Sequence, residues 1–311
     1  MSFKGNVAKR TNSHKRIVIR GEWLKRNGIA WAFILPSLLL MFLFSWRPIF
    51  VGTYLSFFEM KGYTPVKFIG LENYRVVISD THFLSTLSNT FQYVFLYALL
   101  GFLVPVILAI MINEMRHMQR GLKFAIYFPA IMPAIVTSMI WRLLYYPDAT
   151  GLLNNILMRF GLPISTWLDN PRLSIFLIVI SMIWNSAGST MIYYLAALQG
   201  INQELYEAAI IDGAGFFTRI LKITIPRISG VMLLFFVRMI LNIFQVMEQP
   251  LAMTDGGPNG ASLTMALQSY RYAFQNYQVG YSLALGVITF LMLIVLTAFY
   301  LFVNKKVGND E

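Results

Sequence analysis

Polar residues punctuate this 311-residue chain so that six apolar stretches remain, each near the ~20 residues a helix needs to cross a bilayer. They lie near residues 29–50, 87–112, 124–146, 173–198, 228–250 and 279–303. A basic tail precedes the first, with no small-residue cleavage site in a suitable place, so this stretch is read as a retained span and not a signal peptide. The predicted fold is an all-α polytopic membrane protein. It has a basic tail over 1–28, a six-helix transmembrane domain over 29–303 with a polar loop at 201–227, and a short tail over 304–311.

Charge orients these spans. The segments on the side of both termini hold sixteen Lys and Arg, the opposite segments six, and acidic residues are nearly balanced at seven against six. Excess positive charge marks the cytoplasmic side, so both termini and the 201–227 loop are expected on the cytoplasmic side of the membrane. The tail carries Ile17, Val18, Ile19, Trp23 and Leu24 among its bases. Two readings stay open for it: an interfacial segment on anionic headgroups, or a solvated topology anchor.

That loop is the most distinctive stretch. Residues 204–226 read ELYEAAIIDGAGFFTRILKITIP. Leu205, Tyr206, Ala209 and Ile210 fit one side of a short helix, with Glu204 and Glu207 toward solvent. Gly213 and Gly215 permit a sharp bend, Phe216, Phe217, Ile220 and Leu221 form a second amphipathic turn, and Pro226 suits the first turn of the next span. Small Ala208 and Ala209 let another surface approach closely.

The order Glu207-Ala208-Ala209, Asp212-Gly213-Ala214-Gly215, then Ile220, Ile223, Ile225 and Pro226 resembles the EAA loop by which permease subunits of ABC importers dock on their ATPase. Ile220 stands where that family usually has Phe, and Ile225 where it usually has Leu. Segments on the outer side are similar to carbohydrate permeases of the maltose and glycerol-phosphate type. These are Phe68–Tyr74, Asn89-Thr90, Tyr146-Pro147-Asp148 with Gly151–Asn154, and Met253–Pro258. The resemblance runs from about residue 30 to 303. It implies the type I ABC importer permease fold, a second related permease subunit, two ABC ATPase subunits that bind ATP and Mg, an extracytoplasmic sugar-binding protein, and an oligosaccharide substrate. Within it, Asp255, Gly256, Gly257 and Pro258 are the expected contact for the binding protein; by themselves they form a tight turn.

The spans carry few polar side chains, and their spacing is informative. Arg238, Asn242, Gln245 and Gln249 recur at i, i+4, i+7 and i+11 on one face, with Glu248 at its edge. Counted from residue 228, Arg238 lies roughly 15 Å up the helix, where a charge faces a bundle interior or a water-filled cavity. Amides donate and accept hydrogen bonds as sugar hydroxyls do, so the stripe reads as a substrate path or as a structural network. Span four offers Ser181, Asn185, Gly188 and Ser189 on one face with Trp184 adjacent. An indole can stack on a sugar ring while Asn185 bonds its hydroxyls, although small and polar residues also pack helices. Trp141, Arg142 and Tyr145 read as interfacial anchors.

Composition narrows the chemistry. The chain is 57% hydrophobic and 13% charged, against roughly 25% charge in a soluble domain. It has no cysteine, which excludes disulfides, thiol catalysis and iron–sulfur clusters. His14, His82 and His117 are scattered and suggest no metal site. The net charge of +11 is distributed as a topology signal and does not point to nucleic acid. No G-x-x-x-x-G-K-[ST] loop is present to cradle ATP, and no catalytic constellation stands out, so the chain is read as a non-enzymatic subunit powered by a partner. A permease for a non-sugar solute is the main alternative. An ion-coupled secondary transporter would need coupling carboxylates within its spans, and only Glu248 qualifies; there is also no evident internal repeat.

Overall fold

The computed structural model describes residues 27–28, 30–115 and 117–307; the predicted tail over 1–28 falls almost wholly outside them, as do residues 308–311. The chain divides into two compact units, Met1–Leu55 and Ser56–Glu311. The first contributes one apolar helix, α1 (Ala30–Leu55). Its backbone widens into a π-turn at Phe42–Trp46, where the Arg47 N–H reaches back to the Phe42 carbonyl. Pro48 explains the widening. It has no N–H for the Phe44 carbonyl, and its ring would crowd a regular turn.

The second unit opens with a hairpin, β1 (Phe58–Lys61) and β2 (Thr64–Phe68), antiparallel with Phe58 opposite Phe68 and Glu59 opposite Lys67. Helix α2 (Glu72–Ser79) follows, then α3 (Phe83–Gly101) and α4 (Val104–Glu114), which together form an apolar run of 32 residues. Next come α5 (Gln119–Ile131), α6 (Ala134–Leu144), α7 (Leu152–Arg159) and the 26-residue α8 (Ser174–Gln199). The remaining helices are α9 (Gln203–Ile211), α10 (Phe216–Phe244), α11 (Glu248–Thr254), α12 (Met265–Tyr270) and α13 (Val279–Val307).

Two predicted spans are corrected. The stretch 124–146 is not one straight helix: α5 and α6 meet at a 97° bend. Met132 is extended (φ −76, ψ 139) immediately before Pro133, as a residue preceding proline prefers. The stretch 228–250 is likewise displaced. Helix α10 begins at Phe216 and ends at Phe244, and Glu248 and Gln249 belong to the separate α11. The predicted second turn around Phe216–Leu221 is therefore the foot of the fifth span itself. A π-turn at Ile220–Thr224 carries the helix past Pro226, which has no N–H for Lys222.

Helix α8 forms the centre of the second unit, packing against α3, α4, α5, α6 and α10. Ile178, Val179, Met191 and Tyr194 on it are fully buried. Contact is close because small residues line it: a Cβ on Gly188 would stand 2.2 Å from the Ile126 carbonyl oxygen of α5, and one on Gly101 2.7 Å from Ile183 Cγ1. Small residues at crossing points are how helices approach closely where lipid, not water, is the surrounding solvent.

Candidate functional site

A cavity of about 930 Å³ opens between α3, α8, α10, the 245–249 segment, α12 and α13. Asn185, Arg238, Asn242, Gln245, Glu248 and Gln249 all line it. The polar residues of the fifth stretch thus converge, although not by the predicted route. Helix α10 ends at Phe244, Gln245 caps it with its amide donating 3.1 Å to the Leu241 carbonyl, and α11 brings Glu248 and Gln249 back to the same space. The Arg238 guanidinium lies 5.9 Å from the centre of the Phe235 ring. Among the described residues the only ion pair joins Arg271 and Asp255, so no carboxylate neutralises Arg238. A desolvated charge would be costly there, which is why Arg238 stays exposed to the cavity. Hydroxyls of Tyr97 and Ser186, 2.5 Å apart, complete part of the wall.

Trp184 is not among the lining residues. It stands edge-on to Trp141, with ring centroids 5.8 Å apart. Trp141 also packs on Tyr145, which is buried against Trp167. The expected anchors Trp141 and Tyr145 thus belong to one aromatic cluster, in which Tyr145 is buried, Trp141 and Trp167 are half-buried and Trp184 is exposed. Asn185 serves two surfaces at once, since it lines the cavity and its amide donates 2.8 Å to the Pro129 carbonyl.

On the 201–227 segment, the Asn202 side chain caps α9 by accepting from the Glu204 N–H at 3.1 Å. At the far end Gly213 adopts φ +79, the Ala214 N–H reaches the Ala209 carbonyl at 2.8 Å, and the Gly213 N–H reaches Ile210 at 3.0 Å. This is a Schellman termination, for which glycine is the preferred residue. Gly215 contributes differently from expectation: its φ of −67 and ψ of 170 are open to any residue. Glu207, Ala208, Asp212, Phe217 and Leu221 are exposed, while Ala209, Ala214 and Ile220 are half-buried. The Tyr206 hydroxyl lies 2.9 Å from Oγ1 of buried Thr224, tying α9 to the foot of α10. The segment is thus an exposed hairpin whose second arm is the same helix that lines the cavity.

Residues 81–309 match the family model described as binding-protein-dependent transport system inner membrane component. The chain belongs to this family. It is 30% identical over 278 residues to the trehalose/maltose transport system permease protein MalF of Thermococcus litoralis, covering 89% of this chain and 94% of that one. It is 29% identical over 280 residues to the arabinooligosaccharides transport system permease protein AraP of Bacillus subtilis, covering 89% of each. Among solved structures it resembles a chain of a bacterial ABC transporter that imports the acidic polysaccharide alginate. The TM-score is 0.81 at 25% identity, with 92% of this chain and 98% of that one covered. The architecture is accordingly that of a type I ABC importer permease, a multi-pass inner-membrane subunit and not an enzyme.

In this permease the Phe68–Tyr74, Asn89-Thr90 and Gly151–Asn154 motifs are built around buried asparagines whose roles sequence reasoning did not reach. Asn73 donates to the carbonyls of Ser56 (2.7 Å) and Phe58 (2.9 Å). Asn89 donates to those of Gly260 (2.8 Å) and Leu263 (3.0 Å), and Thr90 Oγ1 accepts from the Met265 N–H at 3.1 Å. Asn154 is fully buried, donating to Tyr146, Asp148 and Ser165 carbonyls and accepting from the Trp167 indole at 2.7 Å. Beside it, the Thr150 hydroxyl and N–H donate to Asp148 and hold its carboxyl below the usual range. Each asparagine ties separate loop carbonyls together, and two of these, Asp148 and Gly260, also accept backbone bonds from Gly151 and Leu263.

The Asp255–Pro258 turn is similarly built. Asp255 takes φ +44 and pairs with Arg271 at 3.2 Å, Gly256 takes φ +74, and Ser262 Oγ donates 2.8 Å to the Gly257 carbonyl. A Cβ on Gly256 would stand 3.0 Å from Leu263 Cδ1. The turn is a fixed projection with Asp255 exposed at its surface.

Proposed function

We propose that the chain is one transmembrane subunit of an ATP-driven, binding-protein-dependent importer of oligosaccharides. It would form the translocation path with a second related permease. The hairpin, through Glu207, Ala208, Ala209, Asp212, Gly213 and Ala214, docks on one of two cytoplasmic ATPases that bind ATP and Mg. Asp255–Pro258 touches an extracytoplasmic sugar-binding protein. Residues 29–303 form the permease domain, and the excess of basic residues assigns both termini to the cytoplasm.

One observation carries this reading: a single 29-residue helix, α10, runs from the exposed hairpin at Phe216 to Arg238 and Asn242 in the cavity. Displacement of the hairpin is therefore displacement of the cavity wall. ATP binding would draw the ATPases together, move α9 and the foot of α10, and switch the spans from inward-open to outward-open; hydrolysis would reset them. Coupling requires that the hairpin interact differently with the ATPase in the two states. Amides of Asn185, Asn242, Gln245 and Gln249 match the mixed donors and acceptors of sugar hydroxyls. The relatives named for trehalose/maltose and arabinooligosaccharides, and the alginate importer, support the substrate class.

The test is uptake by the assembled transporter carrying Asn242→Ala or Gln245→Ala. Altered selectivity or uptake with ATPase association intact supports the path. Unchanged uptake and selectivity would make these residues structural.

A further inference from the structure

We propose that Gly286 is the size-determining position of the cavity: the side chain it lacks is the room left for a sugar ring. This rests on the substrate reading above and adds a specificity residue to it. Gly286 lies within α13 and lines the cavity with Thr289, Phe290 and Leu293 at i+3, i+4 and i+7 on the same face.

Glycine inside a helix weakens it relative to alanine, so its presence needs a reason. At Gly188 and Gly280 packing gives one, whereas Gly121 and Gly230 have open space like Gly286 but do not line the cavity. A Cβ on Gly188 would strike the Ile126 carbonyl at 2.2 Å, and one on Gly280, also in α13, would stand 2.9 Å from Asn73 Nδ2. At Gly286 no atom lies within 4 Å of a built Cβ, and the residue does not use a left-handed φ. Neither backbone strain nor a neighbour within this chain accounts for it. What the missing side chain leaves is space on the cavity side.

The surrounding wall fits the same purpose. Ala266 and Ser269 of α12 line the cavity beside it, and the Ser269 hydroxyl is engaged by Ser282 at 2.9 Å. Small side chains at 266, 269 and 286 are thus set among the larger Phe290 and Leu293 on this part of the wall. The α10 and 245–249 part carries the longer polar groups of Arg238, Asn242, Gln245 and Gln249. A pyranose or furanose ring has a face of C–H groups and a rim of hydroxyls. The ring face would lie against Gly286 and the rim toward the amides. Adding volume at position 286 would restrict the bulk of the sugar admitted without removing any polar contact.

Because the chain contains no cysteine, Gly286→Cys places a single thiol in this subunit, and the wild-type complex treated alike reports any modification of its partners. The transporter, assembled with its permease and ATPase partners, is treated with the membrane-impermeant cation 2-(trimethylammonio)ethyl methanethiosulfonate. The expected result is modification in the assembled complex, with uptake lost on modification. A thiol that stays unreactive in the assembled complex, yet reacts once the second permease is dissociated, would make Gly286 a subunit contact and overturn the proposal. The graded series Gly286→Ala, Gly286→Leu and Gly286→Phe is then assayed with malto- and arabino-oligosaccharides of two to five units. Leucine is expected to cut uptake of the longest sugar accepted by on the order of 10-fold, with the shortest within about twofold and ATPase association unchanged. Wild-type and leucine proteins with the same size profile would sink the proposal while leaving the importer reading standing. A wild-type complex that accumulates none of these sugars and does not hydrolyse ATP in response to a binding protein would instead defeat the importer reading.

Discussion

The Asn185 amide stands 2.8 Å from the carbonyl oxygen of Pro129 and supplies the donor that Pro133 cannot. In an unbroken helix the carbonyl of residue 129 would accept from the N–H of residue 133, and proline has none. The carbonyl keeps a long bond from Met132 at 3.3 Å, and Asn185 reaches across from α8 to complete it. Neighbouring helices commonly satisfy backbone groups freed by proline in a membrane. The 97° bend between α5 and α6 is thus held from outside by a residue that also faces the cavity.

Asn185→Leu, similar in volume but without a donor, is expected to destabilise the permease by about 1 kcal/mol. Denaturant titration in detergent micelles measures this. Uptake by this variant would combine a loosened bend with a lost cavity amide, which is why Asn242 and Gln245 are the cleaner probes of the substrate path.

The two glycines of the hairpin are expected to behave unequally. Gly213 holds φ +79, where a Cβ costs about 1–2 kcal/mol. Gly215 holds φ −67, which alanine adopts freely. Gly213→Ala should weaken ATPase association and uptake, and Gly215→Ala should leave both near wild type. Co-purification of the ATPase with each variant reads the difference.

How far this molecule was legible in its sequence varies by element. The hydropathy pattern located the first, second, fourth and sixth long helices to within about five residues, because an apolar stretch of bilayer length is a strong signal, but it started the fifth twelve residues late. It did not reveal direction. Averaged hydropathy runs smoothly through Pro129–Pro133, so a bend there looks like a span, although two prolines four residues apart were a visible sign. The same averaging merged α10 with α11: Val246 and Met247 keep the stretch apolar across the break, and Pro250 was the missed signal. The polar residues nevertheless meet in one cavity, since a turn after Phe244 returns Glu248 and Gln249 to the space that Arg238 and Asn242 face. The packing of Trp184 was not legible either, as its edge-on partner Trp141 is 43 positions away and no local periodicity encodes such a contact. Asn89 was noticed as part of a motif, but its partner carbonyl at Gly260 is 171 residues distant.

Asn154 offers a test of the structural reading of these loop motifs. It is fully buried and makes bonds to four residues. Asn154→Ala removes several bonds to half-buried or exposed partners at once, each worth about 1 kcal/mol where water does not replace the amide. The expected outcome is a clear loss of stability and a protease-sensitive 146–167 loop, followed by limited proteolysis of intact membranes from the outer side.

The central claim, that the hairpin couples this permease to an ATPase, is tested most directly by purifying the chain from its native membrane in mild detergent, as wild type and as Glu207→Lys, and identifying by mass spectrometry what accompanies each. Wild type is expected to bring a second permease and an ABC ATPase, while Glu207→Lys keeps the permease, loses the ATPase and abolishes uptake. A wild-type chain recovered without any ATPase under conditions that preserve known complexes, or a Glu207→Lys complex that keeps its ATPase and normal uptake, would contradict the account.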